Sequence, residues 1–345
     1  MRQAYYKTLP IDYFDNLYLK VSKELTHGHN VCISVIRGGG ARTIFNFLNY
    51  HIQQNTLFDT VHIYDPEIDK IYLLDWIRKL KENPLKQKLI IIRSFEKINE
   101  KQRTLEKIDS LITQTPGAFT ILAITDHTAI TNPNDYQSTS AIFFSSIIYI
   151  PPFNKSNSYT MVETLDKFYN WEINKDHYQK VFNLSGGLPR ITKYVVKDIA
   201  EGFGDIGNEE RFLKTAQIDF QLERLAKLLI TLPTEKLKVL ELLDSDGRLK
   251  SKLLKLYLGK YHSSTIRNLF PSLTTSELKT ISYLLENQKR ILSVDKIADI
   301  LKMTDEKFSL WAIYKTISRL RPKIRKNFRL KSIKGKGYIL ERIIL

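Results

Sequence analysis

The sequence predicts an α/β protein: a parallel-sheet domain with a helical segment behind it, then a small α+β domain at the C-terminus. Three observations predict it. Short, unbroken apolar runs alternate with helical patterns through the first 150 residues. A glycine-rich turn joins the first of these runs to a helix. The last 35 residues hold a basic helix followed by a basic, alternating segment with glycines at its bend.

The elements follow in order. Ile11 to Leu25 has helical spacing and stops near Gly28. Val31–Ile36 reads as a buried strand, and a helix opens around Ile44 after the glycines. Thr60–Tyr64 is the second strand and Tyr72–Lys81 the second helix. Lys88–Arg93 is the third strand, with a helix from about Glu100 to Thr113. Phe119–Thr125 is the fourth strand and Ile147–Ile150 a short fifth. Strands this apolar are buried on both faces, which requires helices on both sides of a parallel sheet. Ser158 to Phe212 is helical, interrupted at Ser185-Gly186-Gly187-Leu188-Pro189-Arg190. Residues 209–270 stay helical, and Leu232–Leu243 echoes Leu273–Leu285. That echo fits either a reduced helix-turn-helix or two unrelated amphipathic helices. The domains so drawn are 1–155, a helical lid 156–215, a helical linker or reduced helix-turn-helix 216–271, and a terminal domain 272–345.

Composition narrows the class. A hydrophobic content of 43% is ample for packed cores, so nothing is disordered by composition. The net charge is +16. After Ala312 there are eleven Lys or Arg against Glu341 alone, so ten of the sixteen net charges lie in about a tenth of the chain. A concentrated basic segment points to a polyanion. Cys32 is the only cysteine, which excludes a disulfide within the chain and fits a reducing, cytoplasmic location; on an apolar strand it reads as a small core residue. No signal peptide or membrane span is expected. His27 and His29 have the composition of a turn, and no His/Cys metal spacing or hydrolase triad is visible.

In the C-terminal segment Ile313, Ile317, Leu320 and Ile324 mark one buried helix face. Lys315, Arg319 and Lys326 fall on roughly the opposite face, near Trp311. Lys331–Leu340 then alternates as a hairpin around Lys334-Gly335-Lys336-Gly337. The blocks Leu273-Thr274-Thr275-Ser276-Glu277, Tyr314–Ile324 and Ile333–Leu340 resemble, in order and spacing, the OmpR-type winged-helix DNA-binding domain. That resemblance implies a helix in the major groove and a wing on the adjacent backbone or minor groove. Lys315 and Arg319 are expected to reach bases or phosphates, Arg321 and Arg325 phosphates, with Lys334 and Lys336 at the wing tip. Pro322 departs from the family pattern, and an interior proline costs about 3 kcal/mol; a kink or early helix end is expected there.

Near the N-terminus, strand, glycine turn and helix form the setting of a phosphate-binding loop. Against G-x-x-x-x-G-K-[ST], the chain has Ile36, Ala41 and Arg42 where the two glycines and the lysine belong, and keeps Thr43. The third strand ends in Arg93-Ser94 rather than Asp-Glu. With Thr125 or Asp126 after the fourth strand, Pro151-Pro152-Phe153, and the Ser185–Arg190 block, this region resembles the AAA+ and STAND class of P-loop ATPases, origin-recognition-like members in particular. It is also similar to the non-catalytic delta subunit of bacterial clamp loaders. The resemblance implies a P-loop-like (AAA+-like) sheet with a helical lid. It makes Gly38, Gly39, Gly40, Arg42, Thr43 and Arg190 the nucleotide-binding candidates, with ATP and magnesium as the ligands.

The missing lysine and acidic pair argue against hydrolysis, so neither catalytic residues nor an obligatory cofactor are expected. The expected function is sequence-specific binding of double-stranded DNA in transcription regulation, with the AAA+-like module serving oligomerisation or a partner protein and no membrane involved. The alternatives are an ATP-dependent factor of replication initiation or transposition, and a clamp-loader-like subunit.

Overall fold

The structure, a computed structural model, describes residues 4–80, 87–114, 119–138, 142–258, 266, 270–286, 291–301, 303, 309–325 and 328–342. The chain divides into two compact units. One comprises 1–218 and 238–252, the other 219–237 and 253–345. Both units are therefore discontinuous in sequence, whereas the sequence suggested linear boundaries at 155, 215 and 271.

The first unit is built on a parallel sheet of β1 (Val31–Val35), β2 (Thr60–Tyr64), β3 (Lys88–Ile92), β4 (Phe119–Thr125) and β5 (Ser146–Ile150), in the order β2-β3-β4-β1-β5. All four pairings are parallel, and β4 is inserted between β3 and β1. Every residue of β1, β3 and β4 is buried. The reason lies in the helices α1 (Leu17–Thr26), α2 (Ala41–Gln54), α3 (Leu73–Lys79) and α4 (Lys101–Gln114). Val31, Ile33, Leu89 and Leu122 pack with α1 and α2 on one face, while Ile90, Ile92, Ile121 and Ala123 pack with α3 and α4 on the other. Alternate side chains thus enter two different cores. Cys32 is fully buried, and burial pushes its thiol far up, out of reach of reactivity at neutral pH.

Helix α1 starts at Leu17, not Ile11. Asp15 and Asn16 both adopt positive φ, which breaks any helix running through them. The Asp15 carboxylate accepts two bonds from Asn157 Nδ2, at 3.0 and 3.1 Å, which holds the break in place.

After the short α5 (Thr128–Thr131), the lid comprises α6 (Lys155–Tyr169), α7 (Tyr178–Ser185) and α8 (Pro189–Ala200). The glycines between α7 and α8 are required by geometry. Gly187 has φ +76°, and a Cβ there would lie 2.0 Å from the Phe153 carbonyl oxygen. Phe153 N–H in turn donates to Gly187 O at 2.8 Å. Pro189 then opens α8 at a position where its missing N–H costs nothing.

The chain passes between the units within α9 (Ala216–Thr231) and α10 (Thr234–Val239). The echo of Leu273–Leu285 in Leu232–Leu243 is not structural. Helix α10 is only six residues long, Glu241 takes positive φ, and Leu243 bridges Leu249.

The second unit has α11 (Thr275–Glu286), α12 (Val294–Ile300), α13 (Leu310–Ile324) and an antiparallel hairpin of β6 (Phe328–Ile333) and β7 (Gly337–Arg342). Ile281, Ile297, Ile313, Ile317, Leu320 and Phe328 lie in one core between the helices and the hairpin. Leu292 exchanges both backbone bonds with Tyr338, at 2.7 and 2.8 Å, adding a third rung beside the wing. Among the described residues no helix is long and apolar enough to cross a membrane.

Gly187→Ala should lower the stability of the first unit by about 2–4 kcal/mol, because it adds both backbone strain and a backbone clash. Urea unfolding followed by circular dichroism measures this. A change within about 0.5 kcal/mol would contradict the assigned packing.

Candidate nucleic-acid interface and glycine-turn site

Helix α13 begins with Ser309, whose hydroxyl accepts from Ala312 N–H at 3.3 Å. It runs through Pro322 to Ile324. The early end expected from the proline does not occur. Pro322 lies in the last turn with an exposed ring, so only one ladder bond is lost. Its neighbours on either side are bound to the rest of the unit. Arg321 donates from Nε to Leu330 O at 3.2 Å and from its guanidinium to Ser332 Oγ. Lys323 Nζ bonds both carboxylate oxygens of Glu277, at 2.8 and 2.6 Å, and Ser272 O at 3.0 Å.

Glu277 also closes a reciprocal cap at the start of α11. Thr274 N–H donates to Glu277 Oε2 at 2.7 Å, and Glu277 N–H donates to Thr274 Oγ1 at 3.4 Å. Burial alone would raise the Glu277 carboxyl. The bonds from Lys323 and Thr274 outweigh it and hold the group below its ordinary value of 4.5.

The outward face of α13 carries Trp311, Lys315, Ser318 and Arg319, all exposed. Lys315 Nζ lies 4.3 Å from the centre of the Trp311 ring. Arg325 is exposed at the helix end, and Lys334 and Lys336 at the hairpin turn. Among the described residues no acid pairs with Lys315, Arg319, Arg325, Lys334 or Lys336, whereas Lys331 is bound to Glu341 at 2.7 Å. Of the six expected DNA-contacting cations, five therefore face solvent with no described acid beside them, and Arg321 braces the wing. Lys326 lies outside the described residues. Gly335, with φ +69°, makes the bend. Gly337 serves differently: a Cβ there would stand 2.0 Å from Leu292 O. Tyr338 is buried under the wing.

In the first unit the glycine turn closes on itself. Gly39 N–H donates to Ile36 O at 2.7 Å, and Ile36 is buried. Gly40 caps α2, and Arg190 N–H of the lid donates to Gly38 O at 3.0 Å. Gly39, Gly40, Arg42, Thr43 and Arg190 line one cavity of about 240 Å³ together with Tyr5, Tyr13, Phe153 and Lys193. The sequence candidates thus do come together, with Gly38 tied to them through Arg190. The residues present fit a nucleotide only in part. The cations and aromatic rings suit a base and phosphates, but the volume is below the roughly 300–1,000 Å³ of ordinary ligand sites.

Beside this region the roles of Asp65, Glu96 and Arg37 escaped the sequence reading, which had singled out Arg93 but not its partner. Arg93, at the end of β3, is paired with Asp65 at 3.0 Å and lies 4.8 Å over the Phe45 ring. Glu96 accepts from Thr125 Oγ1 at 3.3 Å and from Asp126 N–H at 3.2 Å. Burial, with the Asp126 charge adding to it, raises the Glu96 carboxyl. Arg37 reaches Asp126 at 3.5 Å. Burial lowers the neighbouring His127. An acid just past the end of a parallel strand was the available signal for both Asp65 and Glu96. His27 bonds Lys23 O at 2.6 Å and His29 bonds Glu24 at 2.9 Å.

Residues 271–340 match the family described as transcriptional regulatory protein, C terminal. Residues 271–340 thus form an OmpR-type winged-helix segment within the second unit. None of the curated proteins compared with the chain matches it. Solved structures resemble it distantly. The RuvB Holliday junction branch migration motor of Thermotoga maritima is 14% identical, with 98% of this chain and 96% of that one covered and a TM-score of 0.46. For the Aeropyrum pernix ORC1 protein in complex with DNA the values are 9%, 97%, 90% and 0.43. A Walker-type ATPase of Pyrococcus abyssi gives 12%, 97%, 96% and 0.43. Likenesses this distant assign no function to this chain.

Lys323→Ala should cost about 3 kcal/mol, since it strands a buried carboxylate. Because the folded carboxyl titrates below 4.5, its stabilisation is complete above that pH and is lost as pH falls through the folded value. The wild type should lose stability below pH 4.5, and the variant should lose less there. Denaturant melts at pH 7 and pH 3.5 (both about one unit or more from that value) test both statements.

Proposed function

We propose that the protein binds double-stranded DNA sequence-specifically as a transcription regulator, with α13 in the major groove and the 334–336 turn on the neighbouring backbone or minor groove. One observation carries this reading. Lys315, Arg319, Arg325, Lys334 and Lys336 are unpaired with any described acid and project from one helix face and one hairpin tip. Helix α13 contains no acidic residue at all. Arg319 is the candidate for a bidentate guanine contact, worth about 1–3 kcal/mol of discrimination. Arg325, Lys334 and Lys336 suit phosphates, which set affinity and register without reading sequence.

The first unit, on this reading, is a non-hydrolytic module that self-associates or holds a partner protein in the cytoplasm. A second reading, an ATP-dependent factor of replication initiation or transposition, is favoured by the 240 Å³ cavity beside Gly39, Gly40 and Thr43. There Arg42, Arg190 and Lys193 would meet phosphates and Tyr5 or Tyr13 a base. A clamp-loader-like subunit would co-purify with partners and bind DNA weakly on its own.

Duplex affinity should fall with log salt at a slope of about −3 to −4, from about 0.9 per phosphate contact over the three or four contacts that Arg325, Lys334, Lys336 and Lys315 supply. Arg325→Ala should flatten that slope by about one and weaken all sequences alike. A salt-independent affinity, or equal binding by a chain truncated after Ser272, overturns the proposal. ATP turnover measured with and without duplex separates the two readings. No turnover above background is expected, and DNA-stimulated hydrolysis would favour the second.

A further inference from the structure

The outermost ridge of α13 carries more than cations. Positions 311, 315, 318 and 322 follow helical spacing opposite the buried Ile313, Ile317, Leu320 and Ile324. Trp311 is 67% exposed, and Tyr314, one turn away on the same side, is 51% exposed. Large aromatic side chains left in water together mark a surface built to be covered. Lys315 stacks on the Trp311 ring at 4.3 Å. That contact restrains both side chains and sets an apolar plate beside an ammonium.

The surroundings say what covers it. The helix has no acid, and Arg319, Arg325 and the two wing-tip lysines stand close by in the same unit. A protein groove closing over Trp311 would have to desolvate or neutralise those charges. A duplex neutralises them with phosphates and still offers an apolar partner. In the major groove that partner is the C5-methyl of thymine, the one hydrophobic group on a base edge.

We propose that Trp311 and Tyr314 are specificity-determining residues that pack on thymine methyl groups, with Lys315 held by the indole toward an adjacent base acceptor or phosphate. The proposal rests on the duplex-binding reading above and adds to it the base that is read. Its chemistry is specific: cytosine lacks the methyl, and so does deoxyuridine, which otherwise pairs as thymine does.

The test uses the full chain and a duplex selected from a random 20-base-pair pool. Each thymine of the selected duplex is replaced in turn by deoxyuridine. At one or two positions the wild type should bind about fourfold more weakly, the loss expected for one buried methyl. Trp311→Ala should weaken binding to the unmodified duplex and make deoxyuridine silent at one of those positions. Trp311→Phe should retain part of the effect. Arg325→Ala should lower affinity for modified and unmodified duplexes by the same factor. A flat deoxyuridine series with tight, salt-dependent binding sinks the thymine assignment and leaves the duplex reading intact. If Trp311→Ala leaves every duplex affinity unchanged, the aromatic patch belongs to a protein partner. If no duplex in the pool binds, the underlying reading fails as well.

Discussion

A helix can present side chains to a groove only if its inner face is fixed, and in this chain one buried carboxylate does much of that fixing. Glu277 caps α11 through Thr274 and takes both available bonds from Lys323 near the end of α13. Helices α11 and α13 are thus joined at a charged point beside the apolar core of the unit. Neither group would be tolerated alone: an unpaired buried carboxylate costs several kcal/mol. Arg321 extends the same fastening to the hairpin through Leu330 O and Ser332. The orientation of helix relative to wing, which decides where any outward cation points, follows from these two tethered ones.

The first unit solves a related charge problem differently. Parallel strands end at one edge of the sheet, so the residues following β1, β3 and β4 are brought together whatever their sequence separation. Arg93 emerges there directly after β3. Asp65, after β2, neutralises it, and Phe45 from α2 covers its face. Glu96 and Asp126, which carry like charges, are held by backbone and hydroxyl donors and by Arg37. The sheet edge therefore carries ion pairs and hydrogen bonds drawn from this chain's own residues.

How much of this was legible in the sequence differs by kind of residue. All five strands were: β1, β3 and β4 are buried on both faces and so are apolar at nearly every position, whereas β2 and β5, at the two edges of the sheet, are only partly buried and keep shorter apolar runs. The start of α1 was not. Asp15 and Asn16 look helix-compatible until Asn157, more than a hundred residues away, bonds the Asp15 carboxylate. Pro322 read as a breaker because local propensity is all that sequence shows, while the tethers on Arg321 and Lys323 that override it are tertiary. The same limit hid the sorting of cations. Arg321 and Lys323 are, in sequence, as basic and as helical as Arg319 and Arg325, and only the positions of Ser332 and Glu277 tie them to the rest of the unit. The Arg93–Asp65 pair was invisible because adjacency of β2 and β3 was needed to bring the two together.

The glycine turn shows why main-chain geometry and side-chain chemistry can part company. The bend is held by Gly39 N–H to Ile36 O, by the cap at Gly40 and by the lid's Arg190 N–H on Gly38 O. All three are backbone interactions and none requires a lysine, an acidic pair or a bound phosphate. Ile36 stands where the phosphate-loop pattern has glycine, and its side chain turns into the core, where it adds burial instead of a cradle. The turn, its helix and the lid can therefore keep their arrangement whichever ligand the cavity takes, or with none. The groups that would act on a nucleotide and the groups that hold this fold are two separate sets, and the shape of the first unit follows from the second.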